Sequence, residues 1–483
     1  YPPAVATTFD LNFNTIADDF TFTRGSEATF VNAQGLIQST NEIGAELVTN
    51  GDFATDTGWT KSSNWSISSG KAIADGSSQG ALTQTLFTPI IGKKYLLSYE
   101  ISDYLSGNIR VYYGGVFTNF ATSNGIYSEI ITATSTASLF QTSIGSLFTG
   151  SIDNVSVKEY ITATNTPRLD YSTGSEAFLL EPQSTNLITQ SELFSDSSWN
   201  QTTAQITSTT NINPSGNNGT FTIENIGSGS QLGASFSITS GASFSNSWYV
   251  RKISGTGNFN IKDTNNVSTL FTATDAWQRF SVTAVSLSTT GRCYLQAIQG
   301  DVLEVWGAQI EQQSYATSYI PTSGASATRN QELCNNATPV INSEEGTLYA
   351  EISALANDNT SRVICLSNGT NSNRALVSYD ASSNKILAFH NNGTDQVLLD
   401  FIVSDITNFH KVAFKFAEND YALWINGVEV ATSLVGGVNI ANTLDRLDFR
   451  NASGSSPFKG NTKGLKVYPK ALADVQLEDL TTI

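Results

Sequence analysis

The sequence predicts an all-β, multi-domain protein made of β-sandwiches, and three observations carry that prediction. First, short runs in which apolar and polar residues alternate recur along the chain. Examples are Lys94-Tyr95-Leu96-Leu97-Ser98-Tyr99-Glu100-Ile101, Asn108-Ile109-Arg110-Val111-Tyr112-Tyr113 and Lys411-Val412-Ala413-Phe414-Lys415-Phe416. Alternation with period two marks strands with one buried face. Second, Gly, Asn, Ser and Asp separate the runs, as they do in turns. Third, only 14% of the residues are charged and 37 are Gly, whereas helical bundles draw heavily on Glu, Lys and Arg. The 483 residues suit about three domains at ~150 residues each, and 39% hydrophobic residues suffice for sizeable cores.

The elements follow in order. A connecting segment, 1–43, holds Phe20-Thr21-Phe22-Thr23-Arg24-Gly25-Ser26-Glu27-Ala28-Thr29-Phe30 and then Gly35-Leu36-Ile37. A first module, 44–160, opens with Asn50-Gly51-Asp52-Phe53 and Gly58-Trp59 and closes with Ile152-Asp153-Asn154-Val155 through Glu159. A second connecting segment, 161–184, carries Pro167-Arg168-Leu169-Asp170-Tyr171 and Leu179-Leu180-Glu181-Pro182. A second module, 185–325, repeats the opening as Gln190-Ser191-Glu192-Leu193-Phe194 and Ser198-Trp199, and the closing as Val305-Trp306-Gly307-Ala308-Gln309-Ile310-Glu311. Shared opening and closing strands about 100 residues apart imply two diverged copies of one module. A third module fills 340–483, where Asn426-Gly427 between alternating runs predicts a tight hairpin. The one clear helix is expected over Ala471–Leu480, after Pro469, with Leu472, Val475 and Leu480 toward one face.

Composition excludes several functions. A net charge of −17 argues against nucleic-acid binding, which depends on Lys/Arg clusters. No run approaches the ~18 apolar residues of a membrane span, so no membrane insertion is expected. The start, Tyr1-Pro2-Pro3, has no signal-peptide pattern. Methionine is absent even at position 1, so a processed segment or a piece of a longer chain is expected. Cys293, Cys334 and Cys365 have no metal spacing and are expected as free buried thiols. The two histidines, His390 and His410, fall in the third module without triad or metal spacing, so no catalytic residue is assigned.

The connecting segments resemble a phrase of bacteriophage tail-fibre and other virion appendage proteins: Phe-Thr-Arg-x-Ser-x-Ala-Thr, Pro-Arg-apolar-Asp-Tyr, Leu-Leu-Glu-Pro-x-x-x-Asn-Leu, Trp-Gly-Ala-Gln-Ile-Glu and Ser-Tyr-Ile-Pro-Thr. Phe22–Thr29, Pro167–Tyr171, Leu179–Leu187, Trp306–Glu311 and Ser318–Thr322 match it. In the usual form the first two pieces adjoin, so module 44–160 reads as an insertion, and residues 1–43 are expected to fold back on 163–185. The duplicated modules resemble jelly-roll carbohydrate-binding modules, and the third resembles concanavalin or laminin-G sandwiches through Phe409–Phe416, Tyr421–Val430 and Leu465–Asp474. These resemblances imply two jelly rolls plus one lectin-like sandwich in a non-catalytic attachment protein. Its place would be the surface of the virion. Its partners would be cell-surface glycans and other virion proteins, and it would be a homo-oligomer, a trimer by analogy with fibres.

Sugar binding needs an aromatic face for the C–H surface of a pyranose and planar polar groups for its hydroxyls. Trp65, Tyr112, Tyr113, Trp248 and Tyr249 are the candidate glycan-binding residues, and Tyr112, which shares a strand face with Arg110, is the better exposed of its pair. Trp59 and Trp199, at equivalent places, are assigned to the cores. The carbohydrate-binding resemblance further implies a structural Ca²⁺ in the first jelly roll, held by Asp52 and Asp153 with carbonyl oxygens; aligning Glu159 with Glu311 puts Val305 at the place of Asp153 in the second. The rival readings are a polysaccharide depolymerase, which needs two carboxylates about 5–9 Å apart across a cleft, and a purely architectural virion protein.

Overall fold

The computed structural model describes residues 6–9, 19–227 and 231–483. Strands dominate it, in β-sandwiches. The chain forms two compact units: Asn41–Ala163 is one, and the remaining described residues are the other. The connecting segments are therefore not linkers; they are integral to the second unit.

In Asn41–Ala163 two long antiparallel strands, Lys94–Tyr113 and Leu139–Ile161, run side by side and carry shorter neighbours such as Lys71–Asp75, Leu82–Thr85 and Gly125–Thr132. Their register slips at four places between Ser98 and Ile109, where bulges bend a strand and raise its twist. One bend needs glycine: at Gly107 (φ +82°) a Cβ would lie 2.1 Å from the Leu147 carbonyl oxygen. Phe53, Trp59, Trp65, Tyr95, Tyr113 and Phe148 fill the core, and burying each is worth about 1.5–3 kcal/mol.

The second jelly roll packs two five-stranded sheets, one containing Ser243–Ser254 and Val302–Glu311, the other Asn258–Lys262 and Thr290–Ala297. The two modules share one internal anchor. The Trp59 indole N–H donates to the Asn50 carbonyl at 2.9 Å, and that of Trp199 to the Gln190 carbonyl at 2.8 Å. Phe53 and Phe194 lie 5.1 and 5.0 Å from these tryptophan rings.

The third sandwich has a five-stranded sheet that includes Asn373–Tyr379 and Lys385–Asn392, and a second sheet centred on Glu345–Ala354. Into the second sheet come Leu169–Asp170 and Ala177–Leu180 from the connecting segment, and Thr7–Thr8. The hairpin at Asn426-Gly427 forms with both residues at positive φ, 51° and 81°. The helix begins only at Asp474 and ends at Thr481, because Ala473 is extended. That shifts its inward face: Leu477 is buried, whereas Val475 is 71% exposed. The three cysteines are free and buried.

Residues 20–40 do fold back on 165–171. Arg24 and Asn165 exchange backbone-linked hydrogen bonds at 2.8 Å, and the Val31 N–H donates to Asp170 at 2.8 Å. The charged residues of the connecting segments then meet in a buried network. Arg24 pairs with Glu332 at 2.7 Å, Arg168 with both Glu181 at 2.8 Å and Glu332, and Arg329 with Glu181 at 2.7 Å. All five are nearly or wholly out of water. Burial alone would raise the Glu181 carboxyl; Arg329 and Arg168 overcome it and hold it at about 2. Glu332 is likewise held low, with Arg168 the main opponent of burial. Beside this network Asn186 donates to the Ala308 and Ile320 carbonyls and accepts from the Ile310 N–H, and Gln309 accepts from the Ile320 N–H. The phrase shared by these segments is thus a set of buried polar residues that satisfy one another.

Two predictions follow from the charge network. Glu332→Gln leaves Arg24 and Arg168 short of a buried counter-charge and lowers the stability of the larger unit by about 3–5 kcal/mol; calorimetry of the full chain detects this as a lowered transition, with that of Asn41–Ala163 unmoved. The depressed carboxyls add stability that is fully present above their ordinary value of 4.5 and is lost as pH falls toward about 2. Denaturant titrations across pH 6 to 2 should therefore show the larger unit weakening below about pH 4.5.

Candidate functional site

The strand Lys94–Tyr113 turns through Gly114 and Gly115, both at positive φ, into the short strand Val116–Phe117. This two-residue turn pairs Tyr113 with Val116 and sets Phe117 opposite Tyr112. Strand alternation buries Val111 and Tyr113 and turns Arg110 and Tyr112 outward. On the other side Gln141 stands opposite Tyr112 and Ser143 opposite Arg110.

The outward side chains form a ladder. The Tyr112 and Phe117 rings are 4.7 Å apart, tilted by 50°. The Arg110 guanidinium lies 4.0 Å from the Phe117 centroid and 4.4 Å from that of Phe120. Among the described residues no carboxylate pairs with Arg110, and its Nε has no hydrogen-bond partner. Phe117 and Phe120 are 38% and 43% exposed. Glu129 steadies the rim by accepting from the Asn119 N–H at 2.9 Å. A cation between two rings fixes all three side chains, so the face is set before any ligand arrives. It offers aromatic surface for C–H groups, and the guanidinium and Gln141 for hydroxyls.

The five sequence-derived aromatic candidates do not converge. Trp65, Tyr113 and Trp248 are corrections: each is core, and no ligand can stack on it. Trp65 lies against Phe148 and donates to the Gly80 carbonyl at 2.8 Å. Tyr113 is fully buried beside Tyr95, with its hydroxyl on the Phe87 carbonyl. Trp248 is fully buried against Phe194 and donates to Asn246. Tyr112 lies on the ladder. Tyr249 is half-buried in the other unit, with the Trp306 ring at 5.6 Å and the Arg279 guanidinium at 5.3 Å. Phe117 and Phe120 were not among the candidates; the Gly114-Gly115 pair was the signal that would have placed Phe117 across from Tyr112.

Asp52 and Asp153 do lie within reach of each other's charge. Burial chiefly, and then Glu100 and Asp52, raise the Asp153 carboxyl above its ordinary value. Asp153 accepts from the Asn154 N–H, and Asp52 is exposed. Among the described residues no three His, Cys, Asp or Glu side chains gather as a metal group. The side-chain donors fall well short of the six to eight oxygens Ca²⁺ takes. Burial lowers both imidazoles, that of His390 to about 4, so both are neutral at pH 7.

Arg110→Ala removes two cation–π contacts and should lower the stability of Asn41–Ala163 by about 1 kcal/mol, with Arg110→Lys losing less. Urea denaturation of the full chain, followed by the signal of that unit, checks the order.

Known proteins bear on this geometry in two ways. Residues 327–477 match the Concanavalin A-like lectin/glucanases superfamily, which places a domain of that kind at the C-terminal end. Among solved structures, the chain is similar to the CBM40 of the Ruminococcus gnavus IT-sialidase bound to α2,6-sialyllactose, at 18% identity and a TM-score of 0.25, over 29% of this chain and 83% of that one. It is similar to domain 4 of AbnA, a GH43 extracellular arabinanase from Geobacillus stearothermophilus in complex with arabinotriose, at 14% identity and a TM-score of 0.24, over 35% and 84%. It is also similar to the CBM22-1–CBM22-2 tandem of Paenibacillus barcinonensis Xyn10C, at 8% identity and a TM-score of 0.19, over 56% and 98%. No curated protein matches the chain.

Proposed function

We propose that this protein binds glycans without catalysis, through the Arg110–Tyr112–Phe117–Phe120 face of the first jelly roll, and serves as an attachment component of a virion. The observation that carries the reading is this face: three aromatic rings held in place by a cation, partly exposed, on a module whose other aromatics are consumed by the core. The lectin-like match of residues 327–477 supports a carbohydrate ligand, and the tail-fibre phrase of the connecting segments supports the virion. Each contact is weak. Affinity comes from linked modules and repeated copies, since tethering raises the effective concentration of a second site. A Ca²⁺ ion near Asp52 and Asp153 belongs to the same proposal as a stabiliser of the module, outside the recognition face.

A glycan array probed with the full chain tests the reading. Tyr112→Ala and Phe117→Ala should each cut the signal about tenfold, as expected for losing roughly 1.4 kcal/mol of stacking, and chelator should leave it unchanged. An array without hits, or hits indifferent to both substitutions, would remove this face from the function.

A further inference from the structure

We infer that a cleft in the larger unit is a second binding site, built for a single neutral sugar residue. It lies in a different unit from the Arg110 face and does not depend on that face being a site. The cleft has a volume of about 290 Å³ and draws its lining from the N-terminal segment, the connecting segment, the second jelly roll and the third sandwich. That is just under the ~300 Å³ at which drug-sized pockets begin, so it suits one pyranose ring rather than a chain.

Its chemistry specifies the ligand class. Tyr249 contributes an aromatic surface to the lining. Arg279 donates to the Thr317 carbonyl at 2.6 Å and to the Ser247 hydroxyl at 2.9 Å, which leaves its buried Nε without a partner. Asn461 is 6% exposed and donates to the Ser353 hydroxyl, while its carbonyl oxygen is buried and unpartnered. The cleft thus holds one unused donor and one unused acceptor, and a buried polar atom left unmatched costs about 1–3 kcal/mol. Hydroxyl groups both donate and accept, so a polyol satisfies both atoms. A carboxylate only accepts and an ammonium only donates.

Charge selects further. Asp170 and Glu181 also line the cleft, and both carboxylates are engaged, Asp170 by the Val31 and Ser172 N–H groups and Glu181 by Arg168 and Arg329. Two carboxylates against one guanidinium, whose terminal nitrogens are already committed, disfavour an acidic sugar.

Saturation-transfer NMR on the full chain tests this with methyl α-D-glucopyranoside, methyl α-D-galactopyranoside and methyl α-D-mannopyranoside, each against glucuronate and galacturonate. At least one neutral hexoside should give a saturable signal with little or none from the uronates. Asn461→Ala, and Ser172→Trp at the exposed rim, should each reduce binding at least tenfold, while Phe117→Ala leaves it unchanged. Ser172→Trp touches no core and carries the test by itself should Asn461→Ala fold poorly. The inference is overturned by the absence of saturable neutral binding, by binding that survives both cleft substitutions, by tighter binding of uronates, or by loss of the signal in Phe117→Ala.

Discussion

The larger unit depends on a buried exchange of charge. Glu332 lies between Arg24 and Arg168, and Glu181 between Arg168 and Arg329, so five ionic side chains from four stretches of chain neutralise one another away from water. Desolvating such groups is costly, and only complete pairing with good geometry offsets it. Folding of the N-terminal segment, the connecting segment and the loop before the third sandwich is therefore mutual: each supplies a charge that the others require. Lys459 extends the set by donating to the Glu332 carbonyl oxygen, and burial pulls its ammonium down to about 8.

This constraint accounts for the layout around it. The strands Leu169–Asp170 and Ala177–Leu180 join the sheet of the third sandwich, while Asn186 and Gln309 tie the edge of the second jelly roll to Ile320. Gly307, at φ +61°, lets the backbone pass under Tyr249 and Tyr319; a Cβ there would sit 3.1 Å from the Tyr249 ring. The cleft with Arg279 and Asn461 is a product of the same convergence. Asn41–Ala163 stands outside the network, a module with its own core.

The two jelly rolls illustrate how one core design leaves surfaces free to diverge. The Phe53–Trp59 and Phe194–Trp199 pairs, each with its indole N–H on a carbonyl nine residues earlier, are the same device. The outward aromatics are not shared: the first module shows Tyr112, Phe117 and Phe120, whereas Trp306 and Tyr249 of the second are packed with Tyr319. Duplication preserved the anchor because core packing constrains it on every side. A surface face carries no such constraint.

The all-β class, the duplication, the Asn426-Gly427 hairpin and the outward aim of Tyr112 were legible in the sequence, because alternation and turn chemistry act over a few residues. The sequence also placed Trp59 and Trp199 in the cores, through their repeated spacing. It misjudged Trp65 and Trp248, since a tryptophan in a polar stretch or beside basic residues looks exposed until the opposing sheet is known. It set Val475 inward because the periodicity was counted from Leu472, before the helix begins. What only the tertiary structure decided is which distant residues meet: Arg24 with Glu332, Arg110 between Phe117 and Phe120, Arg279 in one cleft with Asn461. Those meetings depend on strand order and on loop paths across hundreds of residues, and no local pattern encodes them.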